Sequence, residues 1–243
     1  MTFEKLTLRS IRARPVMLKL KRPVVARIAT LTDWPLILID LYTEEGVVGR
    51  AYLEPYIAKS MRYLIPALHD LGEMLKGRWL APIEFYEAAG KSLHFVGYEG
   101  MSMIAVSGLD MAAWDALARA AGVPLCVLLG GSIGPLPAYN SNGLWLRSPA
   151  EVAKEAVELR NEGGFQGLKL CLGRERLADD IASIEAVREA VGSEMSIMVD
   201  FNQGLHLGEA LERCHAIDDL GPAWIEEPIV YDNLEGYARC RRS

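Results

Sequence analysis

Residues 167–203, GLKLCLGRERLADDIASIEAVREAVGSEMSIMVDFNQ, decide the fold. Two short apolar runs, GLKLCL from Gly167 and SIMVDFN from Ser196, flank a longer helical segment, which is the order of a strand, a crossover helix and a second strand. The same grammar continues on both sides. PAYNS begins at Pro137 and AWIEEP at Ala223, so four predicted strands start 30, 29 and 27 residues apart. That is the period of a βα unit, and it predicts a parallel sheet. Helix punctuation agrees: Ser148-Pro149-Ala150-Glu151 has the form of a capping box with proline at the first helical position, and Gly163-Gly164 closes that helix. A closed eight-stranded barrel takes about 250 residues, whereas 107 residues follow Leu136. The reading is therefore either a four-stranded open sheet or about half a barrel.

Upstream the pattern differs. Leu6, Leu8 and Ile11 begin an apolar pattern, and PLILIDLYTEEGVVGRAYL sets an apolar run on each side of a Glu44-Glu45-Gly46 turn, which predicts an antiparallel hairpin. From Ala58 to Leu75, Met61, Leu64, Ile65, Leu68, Leu71 and Leu75 recur at helical steps, with Pro66 as a candidate kink. A second helix is expected over 102–121, with Val106, Leu109, Ala113 and Leu117 on one stripe, ended by Gly122 and Pro124.

The composition is that of ordinary globular protein, 51% hydrophobic and 24% charged. A net charge of −6 without long like-charge runs gives no footprint for nucleic acid or an anionic membrane. No apolar stretch approaches the ~20 residues needed to span a bilayer, and the N-terminus lacks an apolar signal core. The four cysteines, Cys126, Cys171, Cys214 and Cys240, form neither a CxxC pair nor a disulfide framework and read as reduced thiols. A cytoplasmic protein is the expectation, with small-molecule chemistry or protein contacts left open.

Chemistry gathers at one end of the predicted parallel sheet. Side chains alternate along a strand, so Lys169 and Cys171 share one face, with Leu168, Leu170 and Leu172 on the other. Asp200 and Asn202 share a face at the end of the third strand, and Glu226 and Glu227 close the fourth. Ligands bind parallel sheets at the carboxyl ends of their strands. Carboxylate oxygens there suit a hard cation such as Mg²⁺, and no His or Cys cluster points to zinc. Such a cation neutralises a substrate carboxylate and the charge that develops when the α-proton leaves, and a lysine beside it has a lowered pKa and can act as a base. His69, His94, His206 and His215 share no spacing or strand-end setting.

AVSGLDMAAWDALARAAGVPLCVLLGG at 105–131, the strand with Lys169, MVDFNQ at 198–203 and WIEEP at 224–228, in this order and at these separations, resemble the mandelate racemase branch of the enolase superfamily. The similarity extends to RPV around Pro23 and to PLILIDL and GVVGRAYL. The resemblance implies an α/β protein with an N-terminal α+β capping domain over 1–134, followed by an incomplete parallel (β/α) barrel over 135–243. It implies Mg²⁺ as cofactor, Asp200 and Glu226 as two of three metal-binding carboxylates, and a third on a strand beyond Ser243. It further implies Asn202, Ser141 and Tyr56 as substrate-binding residues, Lys169 as the first lysine of a Lys-x-Lys motif, and Glu227 in a supporting place. VVARIATLT at 24–32 matches a mobile substrate loop of the family; a plain surface hairpin is the other reading.

One position departs from the pattern: the second lysine of the motif is Cys171 here. Either it serves as a thiolate base beside Lys169, or it fills space and the chemistry is left to one face, which favours dehydration or epimerisation over two-base racemisation. The expected function is magnesium-assisted abstraction of the α-proton of a 2-hydroxy carboxylate, of racemase or dehydratase type, with Lys169 and Cys171 as catalytic candidates. A sugar-acid dehydratase and a non-catalytic remnant are the alternatives. The chain is expected to stop before its barrel closes, to be inactive and poorly soluble as it stands, and to be a homo-oligomer when full length.

Overall fold

A computed structural model of the chain describes residues 5–241. It divides into two compact units: the residues up to Lys19 with Asp33–Gly134, and Leu20–Thr32 with the residues from Pro135 on.

Strands β1 (Leu8–Val25), β2 (Thr30–Thr43) and β3 (Val48–Leu53) form a sheet in that order. The predicted hairpin is present: β2 pairs antiparallel with β3 from Ile37↔Leu53 to Tyr42↔Val48, and Gly46 takes φ 85° in the turn. Helices α1 (Met61–Leu75), α2 (Pro82–Leu93) and α3 (Met101–Ala121) complete the first unit, and the short α4 (Leu125–Leu128) follows. The stripe predicted on α1 buries Leu64, Leu68, Leu71 and Leu75, and the helix runs unbroken through Pro66. α3 buries Val106, Leu109 and Ala113 and ends at Gly122 in the left-handed region (φ 67°), as its sequence requires. It lies close enough to the sheet that a Cβ on Gly49 would fall 2.0 Å from the Ala112 carbonyl oxygen, so glycine is needed there.

The second unit holds helix α5 (Pro149–Asn161), strand β4 (Gly167–Cys171), helix α6 (Leu177–Val191), strand β5 (Ser196–Asp200), helix α7 (Leu207–Asp218), strand β6 (Ile225–Glu226) and helix α8 (Leu234–Cys240). Ser148 and Glu151 make both bonds of the capping box that opens α5. The three strands are parallel and adjacent in the order β4-β5-β6. Leu168, Leu170 and Leu172 are fully buried with Ile197, Val199 and Phe201 against Val152, Ala156, Ile184 and Val187 of the helices. Burial of this apolar face, at about 25 cal/mol per Å², fixes which face Lys169 must occupy.

One predicted strand is not there. PAYNS is irregular and exposed except at Asn140, which makes a single parallel bridge to Leu168. Pro135 and Pro137 offer no backbone donors to a ladder. After one rung the chain also turns away: Asn140 Oδ1 accepts from the Asn142 backbone N–H (3.0 Å), and Asn140 Nδ2 donates to the Leu159 carbonyl (3.2 Å). Among the described residues the sheet thus has three strands and a bridge, rather than four strands.

Candidate active site

Parallel register builds the site. Cys171, Asp200 and Glu226 are register partners across β4, β5 and β6, so three strand ends stop at the same level. Lys169 lies two residues earlier on β4, and its long side chain reaches up to that level. Its Nζ donates to Asp200 Oδ2 at 2.8 Å and to both Glu226 carboxylate oxygens at 3.3 Å. Burial alone would lower the Lys169 pKa, but the hydrogen bond and charge of Asp200, then those of Glu226, outweigh it. The net shift is upward.

The remaining donors hold the carboxylates in place. The Asn202 backbone N–H donates to Asp200 Oδ1 at 2.7 Å, and Trp224 Nε1 donates to Glu226 Oε2 at 3.2 Å. Cys171 Sγ is buried and donates to Asn202 Oδ1 at 3.1 Å. Burial, with the charge of Asp200 added, pushes the Cys171 thiol up to about 12. Its sulfur stands as an S–H donor to Asn202 in these surroundings.

Backbone strain concentrates here. Asn202 (φ 48°), Gln203 (φ 60°) and Glu227 (φ 45°) are non-glycine residues in the left-handed region just past β5 and β6. Such conformations cost about 1–3 kcal/mol each and persist only where neighbours impose them. Gln203 N donates to the Glu227 carbonyl (2.7 Å) and Gln203 Nε2 to Glu227 Oε1 (2.9 Å), so the two turns hold one another.

Lys169, Cys171, Asp200, Asn202 and Glu226 thus converge. Ser141 is exposed, one residue beyond the Asn140 bridge to β4. Tyr56 belongs to the first unit, where it takes φ 59° and packs edge-on against Trp34 with centroids 6.2 Å apart. The two carboxylates present hard oxygen ligands suited to a divalent cation. No group of three or more His, Cys, Asp or Glu converges as a metal site among the described residues.

A second set of charged residues supports the strand ends and was not foreseen. Asp180 of α6 is fully buried and pairs with Arg213 (2.5 Å) and Arg174 (3.2 Å), while accepting from the backbone N–H groups of Gly173 and Arg174. Arg174 in turn donates to the Cys171 carbonyl (3.1 Å), which ties the network to the end of β4. The available signal was the α6 stripe Asp180, Ile184, Val187 and Val191, where a carboxylate stands at a core position.

Glu209, in the first turn of α7, continues this network by accepting from Arg213 Nη2 (2.8 Å) and Arg27 Nη1 (2.7 Å). The stem of Arg27 lies over the turns that follow β4 and β5, where a Cβ on Gly204 would be 3.0 Å from Arg27 Cβ. The hydrogen bond from Arg27 is the main reason that the Glu209 pKa is lowered. A carboxylate depressed in the folded state contributes stability above its unfolded pKa and loses it as pH falls through the folded value. Acidification should therefore open the Arg27–Glu209 contact at the low end of the carboxylate range. NMR titration of the Glu209 carboxyl carbon checks this, and Arg27→Met should move its midpoint upward.

Residues 9–130 match the family model for the mandelate racemase / muconate lactonizing enzyme N-terminal domain, and residues 151–243 match that for the enolase C-terminal domain-like fold. The chain belongs to the mandelate racemase / muconate lactonizing enzyme family. Among the relatives of this family member is the L-talarate/galactarate dehydratase of Salmonella typhimurium, 38% identical over 144 residues, or 59% of this chain and 36% of the relative. Two crystal structures resemble it closely. An enolase from alpha proteobacterium bal199 with bound magnesium superposes with a TM-score of 0.95 at 65% identity, covering 98% of this chain and 66% of its own. An enolase from Bradyrhizobium complexed with magnesium and mandelic acid gives 0.92 at 36% identity, covering 100% and 66%. Other curated family members are sugar-acid dehydratases, racemases and epimerases. The chain spans between 36% and 60% of the length of such relatives.

Proposed function

We propose that this chain carries one side of a site that abstracts the α-proton of a 2-hydroxy carboxylate with the aid of Mg²⁺. The observation that carries the reading is Lys169 Nζ held within hydrogen-bonding distance of both Asp200 and Glu226 at the strand ends. Asp200 and Glu226 would hold the cation, which when bound polarises the substrate carboxylate and stabilises the charge left by the proton. Lys169 loses its two stabilising partners once they are engaged in this way, and its pKa falls toward the range in which it takes a proton. Asn202 presents its amide to a substrate oxygen, oriented by the neutral thiol of Cys171. On the family resemblance, Ser141, in the first half of a barrel over 135–243, and Tyr56, in a capping domain over 1–134, are the further candidates for substrate contact.

Dehydration of a sugar acid is the form of this reaction favoured by Cys171. A thiol that stays protonated leaves Lys169 as the one proton carrier offered by β4, which suits a single abstraction followed by loss of a β-hydroxide. The dehydratase among the relatives supports the same form. A small-molecule acid is then the partner, with a homo-oligomeric, cytoplasmic enzyme as the setting; no helix among the described residues is long and apolar enough to cross a membrane.

The test is deuterium exchange at the α-carbon, followed by NMR under Mg²⁺ with a panel of 2-hydroxy and aldonic acids. It is run on this chain and on this chain joined to the remaining third of the 65%-identical relative. Exchange with at least one acid, lost by more than about a hundredfold in Lys169→Met, is the expected result. Exchange that survives this substitution overturns the role of Lys169, and its absence from the joined protein with every acid overturns the reading in favour of a non-catalytic protein.

A further inference from the structure

The first unit carries an apolar groove and, beside it, an apolar knob. The groove, of about 430 Å³, runs between α1 and α3. Tyr63, Ala67, Asp70 and Met74 recur at steps of three and four residues and so form one stripe of α1, while Met101 and Ala105 line the groove from α3. The small side chains of Ala67 and Ala105 set its floor low. Tyr63, Met74 and Met101 are 56%, 42% and 49% exposed around it.

The knob is the turn that leaves α2. Phe95 is 98% exposed and Val96 77%. The Val96 and Gly97 backbone N–H groups both donate to the Leu93 carbonyl, at 3.1 and 3.0 Å, and Gly97 takes φ 106°. A hydrogen-bonded turn thus holds two apolar side chains out in water, next to a groove whose rim is also apolar. Exposed apolar surface gathered in this way marks a contact site.

We propose that the groove receives the Phe95–Val96 turn of a second copy of this chain, in a two-fold dimer where each copy gives its knob and takes the other's. Three observations choose this occupant. Leu93 and Met101 both line the groove and flank the knob in the chain, so an axis passing between groove and knob allows both insertions at once. The rings of Phe95 and Tyr63, at about 150–250 Å² each when fully covered, together with Val96, Met74 and Met101, bring the area buried over two copies to on the order of 1,000 Å², the lower bound for a specific interface. Charge agrees: the groove carries the carboxylate of Asp70 and the knob is flanked by Lys91, so opposite charges approach as the knob enters. The contact bears on assembly and not on the strand ends, so its failure leaves the proposed reaction standing.

Sedimentation velocity of the 243-residue chain tests it. Monomer and dimer should interconvert in the micromolar range that an interface of this size supports. Phe95→Ser should weaken the dimer at least about 30-fold, the effect of losing an interface hot spot. Ala67→Trp, which fills the floor of the groove, should do the same from the other side. Mixed together, these two variants should associate more tightly than either does alone, because the intact knob of one still fits the intact groove of the other. Phe95 lies in water, so its replacement should leave the circular dichroism unchanged; if Ala67→Trp disturbs the helices, Met74→Asp at the exposed rim takes its place. A chain that stays monomeric throughout that range, which would leave the groove to a different partner, overturns the proposal. So does a dimer that Phe95→Ser leaves intact, or a mixture that associates no better than its components.

Discussion

Asp180→Ala should destabilise the second unit by about 3–5 kcal/mol, the cost of removing one partner from a buried ion pair. Asp180 is fully inaccessible, and the side chains of Arg213 and Arg174 are only 5% and 9% exposed, so neither cation can turn to water when the carboxylate goes. The substitution also leaves the backbone N–H groups of Gly173 and Arg174 without their acceptor. Both losses fall on the turn that follows Lys169 and Cys171. Urea denaturation measures the loss, and hydrogen exchange at the Leu168–Leu172 amides locates it. A change within about 0.5 kcal/mol, the range of an ordinary surface substitution, would show that the network contributes little.

The second large effect concerns the cation. Mg²⁺ titrated into the chain, followed by calorimetry or by Mn²⁺ relaxation as a substitute, should bind through Asp200 and Glu226. Asp200→Ala should weaken that binding by at least the ~10–100-fold seen when residues that merely support a metal ligand are changed. Lys169→Met should act in the opposite sense, because its ammonium is the group that now engages both carboxylates. The size of the two shifts separates a shared carboxylate site from general surface charge, which gives the same signs but, screened by solvent and salt, much smaller changes. Affinity unchanged in both Asp200→Ala and Glu226→Gln would sink the assignment of these residues.

Much of this was legible in the sequence because it depends on period. Alternation along GLKLCL put Leu168, Leu170 and Leu172 on one face, and a buried core needs that face whatever else the chain does. The βα spacing and the ends of SIMVDFN and WIEEP then brought Asp200 and Glu226 to one level, since parallel strands of similar depth end together. Helix boundaries were readable at Ser148 and Gly122 because capping and left-handed closure are local chemistry. PAYNS failed for an equally local reason that periodicity ignores: its own proline, another two residues before it, and an asparagine that bonds to its own turn.

The sequence by itself determined the family, the parallel order of the strands and the face on which Lys169 and Cys171 stand, because these follow from residue spacing and from side-chain alternation. Tertiary structure alone decided what those residues are. Lys169 is drawn upward in pKa by two carboxylates that lie 31 and 57 residues away in the chain. Cys171 is a protonated thiol because its neighbours exclude water and supply a negative charge. Asp180, unremarked among the acids of α6, holds the turn after β4 because Arg213 reaches it from another helix. Charge state and pairing depend on distance through space, and distance through space is what one-dimensional spacing does not carry.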